Sequence, residues 1–159
     1  MNRQQFISYV ESSRNAVRRF LVALCCGDIA LADDLAQDTF LKAYLSCEGF
    51  RDDSKFNAWI YKIAYNNFLN SKRTRHISVP LENAQEARAY ENADTSFRYE
   101  ALYAALNSLP PHERSSILLF YMEGYSTREI AAIEEISEEA VRQHLSRGRQ
   151  HLKKLIPNS

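Results

Sequence analysis

The chain has 159 residues, 45% of them hydrophobic, enough to fill a core, and its 20 basic and 20 acidic residues cancel to zero net charge. Only four Gly and four Pro leave little material for turns, which favours helices over a many-stranded sheet. The longest apolar run, Phe20 to Cys26, is far too short for a membrane span, and the first fifteen residues lack the basic-then-apolar pattern of a secretion signal, so a cytoplasmic chain without membrane insertion is expected.

Apolar residues recur at helical spacing from the start. Phe6, Val10, Val17, Phe20, Leu21 and Leu24 share one stripe, which predicts a long first helix or a pair of helices, interrupted at Gly27-Asp28. A second helix is expected from Asp33 to about Ser46, with Asp33 or Asp34 in its first turn. The loop CEGFRDDS follows, and Ser54 can cap a third helix through KFNAWIYKIAYNNFLNSKRTR. Cys25, Cys26 and Cys47 have no zinc spacing and read as reduced thiols; no metal or cofactor is expected.

From His76 to about Asp94 the sequence holds Pro80, several Asn and no sustained apolar stripe. Residues 79–94 carry one Arg against four acids and read as an acidic, flexible linker. A helix is expected from Thr95 to Ser108, then a break at Pro110, with Pro111 suited to the first turn of a helix running to Gly124. Ser126 or Thr127 caps a short helix, and Ser137 caps the last. The fold class is therefore all-α: two small helical domains, residues 1–78 and 95–159, joined by residues 79–94.

Zero net charge does not exclude nucleic acid, because local charge decides phosphate binding. Residues 1–78 carry a net charge of +3, from 11 basic against 8 acidic residues, and residues 140–159 hold five basic residues and no acid. Projected at 100° per residue, Val141, Leu145, Gly148, Leu152 and Leu155 of the last helix fall in one core-facing sector. The opposite side collects Glu139, Arg142, Gln143, Ser146, Gln150 and Lys153, with Arg147, Arg149 and Lys154 nearby. Arg, Gln and Ser can bond base edges in a major groove. A small Ala131, an apolar Ile136, a capping Ser137 and then Val141 complete a helix-turn-helix pattern.

These residues, with Leu109-Pro110-Pro111, Arg114, Gly124, Glu129-Ile130, Arg147, Arg149 and Leu152, resemble the C-terminal domain (region 4) of bacterial RNA polymerase sigma factors. The resemblance is closest to the extracytoplasmic-function (ECF) group of the sigma-70 family. It implies that Ser137, Glu138, Glu139, Arg142, Gln143, Ser146, Arg147, Arg149, Gln150 and Lys153 face the −35 promoter element. Two departures stand out. The turn's usual glycine is Glu135, where a positive φ would cost a side chain about 1 kcal/mol, and Gly-Thr before the valine is Glu139-Ala140. A changed base preference is the expected outcome, with Glu139 able to accept from cytosine.

The first half carries the resemblance further. DDLAQDTFLKAY is similar to region 2.2, which grips the clamp helices of the polymerase β′ subunit; Ala36, Phe40 and Ala43 face inward while Asp34, Gln37, Asp38, Leu41 and Leu45 share the outer face. FNAWIYKIAYNNFLNSKRTR resembles regions 2.3 and 2.4, which read and open the −10 element. Phe56, Ile60, Ile63 and Asn67 point one way; Tyr61, Lys62, Tyr65, Asn66, Lys72 and Arg73 lie on the other side, cations interleaved with aromatics as an unpaired strand requires. Phe50 and Arg51 of the preceding loop and Arg75 join this set, while Trp59 reads as core and Asn70 replaces the family's aspartate. The resemblance implies core RNA polymerase (β′ clamp helices and β flap), promoter DNA and an anti-sigma factor as partners. The rival reading is a stand-alone helix-turn-helix regulator using only Ser137–Leu155. An enzyme is not expected, since there is no phosphate loop or nucleophile with its base, and His76, His112, His144 and His151 form no recognisable cluster.

Overall fold

The computed structural model describes residues 1–51, 55–78 and 93–155, with side chains described for 1–51, 55–73 and 99–155. Helix α1 spans Arg3–Leu24, α2 Ile29–Ser46 and α3 Phe56–Ser78; α4 spans Ala93–Asn107, α5 Pro111–Ile117, α6 Thr127–Glu134 and α7 Glu138–Leu155. No strand occurs among the described residues, and no described helix is long and apolar enough to cross a membrane.

Helix α1 starts on a reciprocal cap. Asn2 Oδ1 accepts from the Gln5 amide at 2.8 Å, and Gln5 Oε1 accepts from the Asn2 amide at 3.1 Å. Its C-terminus closes in a Schellman turn: the Gly27 amide donates to Val22 O and the Cys26 amide to Ala23 O, each at 3.0 Å. Cys26 holds the left-handed conformation at φ 53°, with Gly27 at φ 89°. Helix α2 begins four residues earlier than expected. Asp28 Oδ1 accepts from the Leu31 amide at 3.1 Å, so the interrupting aspartate is itself the cap.

The stripe of α1 buries Phe6, Val17, Phe20, Leu21 and Leu24 against Ala32, Leu35 and Ala43 of α2 and Phe56, Ile60 and Phe68 of α3. Each large apolar side chain so buried contributes roughly 1.5–3 kcal/mol. In the second half, Leu106, Leu109, Leu119, Ile130, Ile133, Val141 and Leu145 form the equivalent core, continuous with the first. Helix α7 crosses α5 closely at Gly148, where an added Cβ would stand 2.9 Å from Ile117 Cγ1. Leu155, expected in the core sector, is exposed at the end of α7, beyond the reach of the helices that cover Val141 to Gly148.

Two of the features that join the halves lie at the end of α1. Arg114 of α5 is 2% exposed. Its Nη1 donates to Leu24 O at the end of α1 (2.7 Å), Nε to Leu106 O at the end of α4 (2.8 Å), and Nη2 to Leu109 O (3.1 Å). A guanidinium has five donors, and helix C-termini present unpaired carbonyls carrying partial negative charge, so the buried cation is satisfied without a carboxylate. The backbone at Gly27 closely approaches the ring of Tyr103, which leaves no room for a Cβ (Cδ2 would be 2.8 Å away).

The helix expected from Pro111 to Gly124 changes register. At Leu118–Met122 it widens into a π-turn, with the Glu123 amide donating to Leu118 O at 3.1 Å. Gly124 then ends it at φ 78°. Helix α6 opens on a capping box between Ser126 and Glu129. It ends at Glu135 with φ 57° and ψ 47°, and the Ile136 amide donates back to Ala131 O at 3.1 Å. The left-handed turn is retained without its glycine.

Glu134 is buried at the end of α6, accepting from Ser116 Oγ at 3.0–3.1 Å. Burial pushes its carboxyl up to about 7, and the hydroxyl draws it back only in part. The folded chain thus holds this proton more tightly than the unfolded chain. The contribution to stability is complete below about pH 4.5 and is lost as pH rises through about 7. Glu134→Gln is expected to flatten that dependence and raise the melting temperature at pH 8, by about 2–4 °C per kcal/mol recovered; thermal melts at pH 5 and pH 8 of both proteins check it.

Candidate nucleic-acid interface

Three helical faces carry the residues singled out in the sequence. On α2, Asp34, Gln37, Leu41 and Leu45 are exposed, Leu41 at 56% and Leu45 at 73%. Asp38 is half-buried and pairs with Lys42 at 3.2 Å. Ala43 is fully buried, Ala36 nearly so and Phe40 partly, as the projection required. Two further exposed apolar residues lie outside the sequence reading. Tyr44 packs edge-on to Phe6 with Arg3 over its ring, and Ile7 projects from α1. Ile7 could have been found by asking which apolar residue of α1 falls off its core stripe.

The second face is α3. Lys42 Nζ donates to Asn67 Oδ1 at 2.6 Å, and Asn67 Nδ2 to Thr39 Oγ1 at 3.0 Å, which fixes α3 on α2. Asn66 and Arg73 are exposed; Arg75 and the expected cap Ser54 lie outside the described side chains. Lys72 lies half-buried over the Phe68 ring, its pKa lowered by burial and by the nearby Arg114.

The tyrosines are not on the open side. Tyr61 is 2% and Tyr65 1% exposed, because the second half of the chain packs over them. Tyr61 Oη donates to Glu123 Oε2 at 2.9 Å, and Arg19 Nη2 meets the same oxygen at 2.9 Å. The π-turn delivers Glu123 there. Tyr65 Oη lies 2.6 Å from His112 Nδ1 in a shared hydrogen bond, and His112 stacks on His144 at 5.7 Å. Burial raises both phenol pKa values, with Glu123 adding to the effect at Tyr61 and Glu134 at Tyr65. Burial, then His112, lowers that of His144. Two histidines expected as separate surface groups thus form a pair at the junction. Lys62 bonds Glu135 at 2.5 Å.

The loop before α3 differs from expectation at one residue. Arg51 is exposed, but Phe50 is half-buried and stacks on Trp59, rings parallel at 4.5 Å. Trp59 also meets Phe56 edge-on, so it belongs to the core rim as expected.

The third face is α7. Glu139, Arg142, Gln143, Ser146, Arg147, Arg149, Gln150, Lys153 and Lys154 are all exposed, and Ser137 Oγ accepts from the Ala140 amide at 3.1 Å. Glu138 is half-buried and holds Arg142 at 3.0 Å, one turn on. Arg149 donates to Tyr121 Oη at 3.1 Å, and Tyr121 is itself 58% exposed. Tyr121 was hidden in the sequence inside an apolar run that reads as buried throughout; the π-turn rotates it out. The arrangement offers an exposed row of fork donors and amides, suited to a groove lined by phosphates.

The chain is similar to known proteins. Residues 9–76 match the family Sigma-70 region 2, and residues 99–152 match Sigma-70, region 4. The chain is 32% identical over 146 residues to the ECF RNA polymerase sigma factor SigM of Bacillus subtilis, covering 89% of this chain and 88% of that one. It is 30% identical over 159 residues to the ECF RNA polymerase sigma-E factor of Salmonella typhimurium, covering 91% and 80%. Among solved structures it is similar to the sigma factor RpoE of Bartonella quintana in complex with the anti-sigma factor NepR, at 25% identity and TM-score 0.79, covering 98% of this chain and 99% of that one.

The Phe50–Trp59 stack is directly testable, since Trp59 is the only tryptophan of the sequence. Phe50→Ala is expected to red-shift its emission and increase acrylamide quenching while far-ultraviolet circular dichroism stays helical.

Proposed function

The chain belongs to the ECF group of the sigma-70 family of RNA polymerase sigma factors, and we propose that its three faces divide promoter recognition among them. As a sigma factor it is a transcription-initiation factor: it directs polymerase to promoters, contributing position and not bond chemistry. The presence of both sigma regions disfavours a stand-alone helix-turn-helix regulator.

In this reading α2 docks on core polymerase at the β′ clamp helices. Exposed Leu41 and Leu45 provide the apolar contact, and Asp34, Gln37 and Asp38 the charge that steers a basic partner helix. Helix α3 reads and opens the −10 element with Lys62, Asn66, Lys72, Arg73 and Arg75 on phosphates and base edges and Arg51 and Phe50 at the loop, while Tyr61 and Tyr65 are covered in this structure. The α7 row from Ser137 to Lys153 enters the major groove at the −35 element. Glu138 restrains Arg142, so the base preference at that position belongs to the pair, and Glu139 accepts from a neighbouring cytosine. The second domain also meets the β flap. The domains are residues 1–78 and 95–159, and the chain acts in the cytoplasm. An anti-sigma factor controls it, as the complex of its structural relative supports.

The single observation that carries this reading is the pairing of an exposed acidic–leucine face on α2 with an exposed basic row on α7 in one chain. The test is to add the protein to core polymerase and map transcript 5′ ends on genomic DNA. Promoter-dependent starts are expected; their absence overturns the reading. Reversing Asp34 and Asp38 to Lys should weaken core binding by about tenfold and leave binding to an isolated upstream duplex unchanged. Arg142→Ala should instead alter base preference at that duplex, by about 1–3 kcal/mol between best and second-best base.

A further inference from the structure

The exposed row of α7 receives a side chain from outside the helix-turn-helix. Arg149 Nη1 donates to Tyr121 Oη at 3.1 Å, which links the middle of α7 to the π-turn after α5. Arg149 stands two turns beyond Arg142 and within about a turn of Ser146 and Lys153, so these four exposed side chains share one side of the helix. Tyr121 reaches them because of the π-turn. In an unbroken α-helix it would continue the stripe of Arg114, Ile117 and Leu118, all of them buried. The wider turn at Leu118–Met122 breaks that register, and Tyr121 is 58% exposed instead. Phe120 steadies the ring, meeting it edge-on at 5.0 Å.

The neutral hydroxyl orients Arg149 without cancelling its charge. Arg142, by contrast, is held by Glu138, and among the described residues no carboxylate pairs with Arg149. One of the five guanidinium donors goes to Tyr121 and four remain. The phenol oxygen accepts that bond on a lone pair, so its own proton is left to donate, and accepting from a cation strengthens it as a donor. A charged and a neutral donor side by side match two oxygens of one phosphodiester, and they offer nothing that tells one base from another. We propose that Tyr121 and Arg149 form a single clasp for a backbone phosphate at the edge of the −35 groove, which makes the π-turn part of the DNA-binding surface. The inference rests on the reading of α7 given above and adds to it a contact from outside the recognition helix. Arg142 and Gln143 face base edges in that reading; the clasp fixes the depth and angle at which α7 sits.

The test uses the full chain and a short duplex carrying the −35 element of a mapped start, with an unrelated duplex beside it. Fluorescence anisotropy reads affinity across a salt series. Tyr121→Phe keeps the ring and its contact with Phe120 and removes only the hydroxyl. It should weaken both duplexes alike, about two- to fivefold, so that the ratio between them is unchanged. Arg149→Ala should lower the slope of log affinity against log salt by about 0.9, as one lost phosphate contact requires. Adding Tyr121→Phe to Arg149→Ala should cost little more, because the two side chains act as a unit. Replacing the duplex phosphates one at a time by methylphosphonate gives an independent readout: one position should weaken the unaltered chain and be silent in the double variant. Unchanged affinity of Tyr121→Phe overturns the proposal, as does an equal loss with and without Arg149, or a loss confined to the −35 duplex. Arg142→Ala on the same duplexes separates this outcome from the reading of α7. If it shifts base preference while Tyr121→Phe is silent, only the clasp fails; if neither changes binding, α7 is not the reading helix and both fail.

Discussion

A positive charge is held in the middle of this molecule without a carboxylate paired to it among the described residues. Arg114 donates to carbonyls that end α1 and α4 and to Leu109 O, where helix ends concentrate partial negative charge. An uncompensated buried cation would cost several kcal/mol, so the arrangement stands only while both helix ends are in place. The dependence runs in both directions. Helix α1 must stop at Leu24 for its carbonyl to be available, which the Schellman turn at Cys26-Gly27 enforces. Helix α4 must stop near Asn107, which Leu109 and the two prolines enforce. One side chain thus ties two helix terminations to the docking of the two halves.

The periodicity of α1 made its buried stripe legible, and the projection of α7 separated Val141, Leu145 and Gly148 from the exposed row that follows Ser137. Those are local properties, written in spacing of 3.6 residues. Caps were partly legible: Ser137 was foreseen, whereas Asp28 was taken for an interruption when it is the start of α2. The π-turn at Leu118–Met122 left no mark in composition, and the rotation of Tyr121 and Glu123 was lost with it. The covering of Tyr61 and Tyr65 was beyond any helical projection. A wheel drawn on α3 shows which side faces α1 and α2; it holds no information about a second surface arriving from residues 112–135.

The overall neutrality of the chain is likewise the sum of unlike parts. The acids that offset its cations are not spread evenly; several sit where they hold a particular base, such as Glu123 on Arg19, Glu138 on Arg142 and Glu135 on Lys62. The exposed row of α7 retains Arg147, Gln150, Lys153 and Lys154 with no acid among them. A neutral total is therefore compatible with a strongly directional surface.

The approach of Gly27 to Tyr103 differs in kind from the charged contacts around it. It is a fit of shape, a peptide against a flat ring, and ions in solution do not weaken dispersion as they weaken attraction between charges. Raising ionic strength would loosen Lys62 from Glu135 while leaving the glycine–ring contact as it was. The junction between the halves consequently has a hinge-side component indifferent to electrolyte and a rim that follows it.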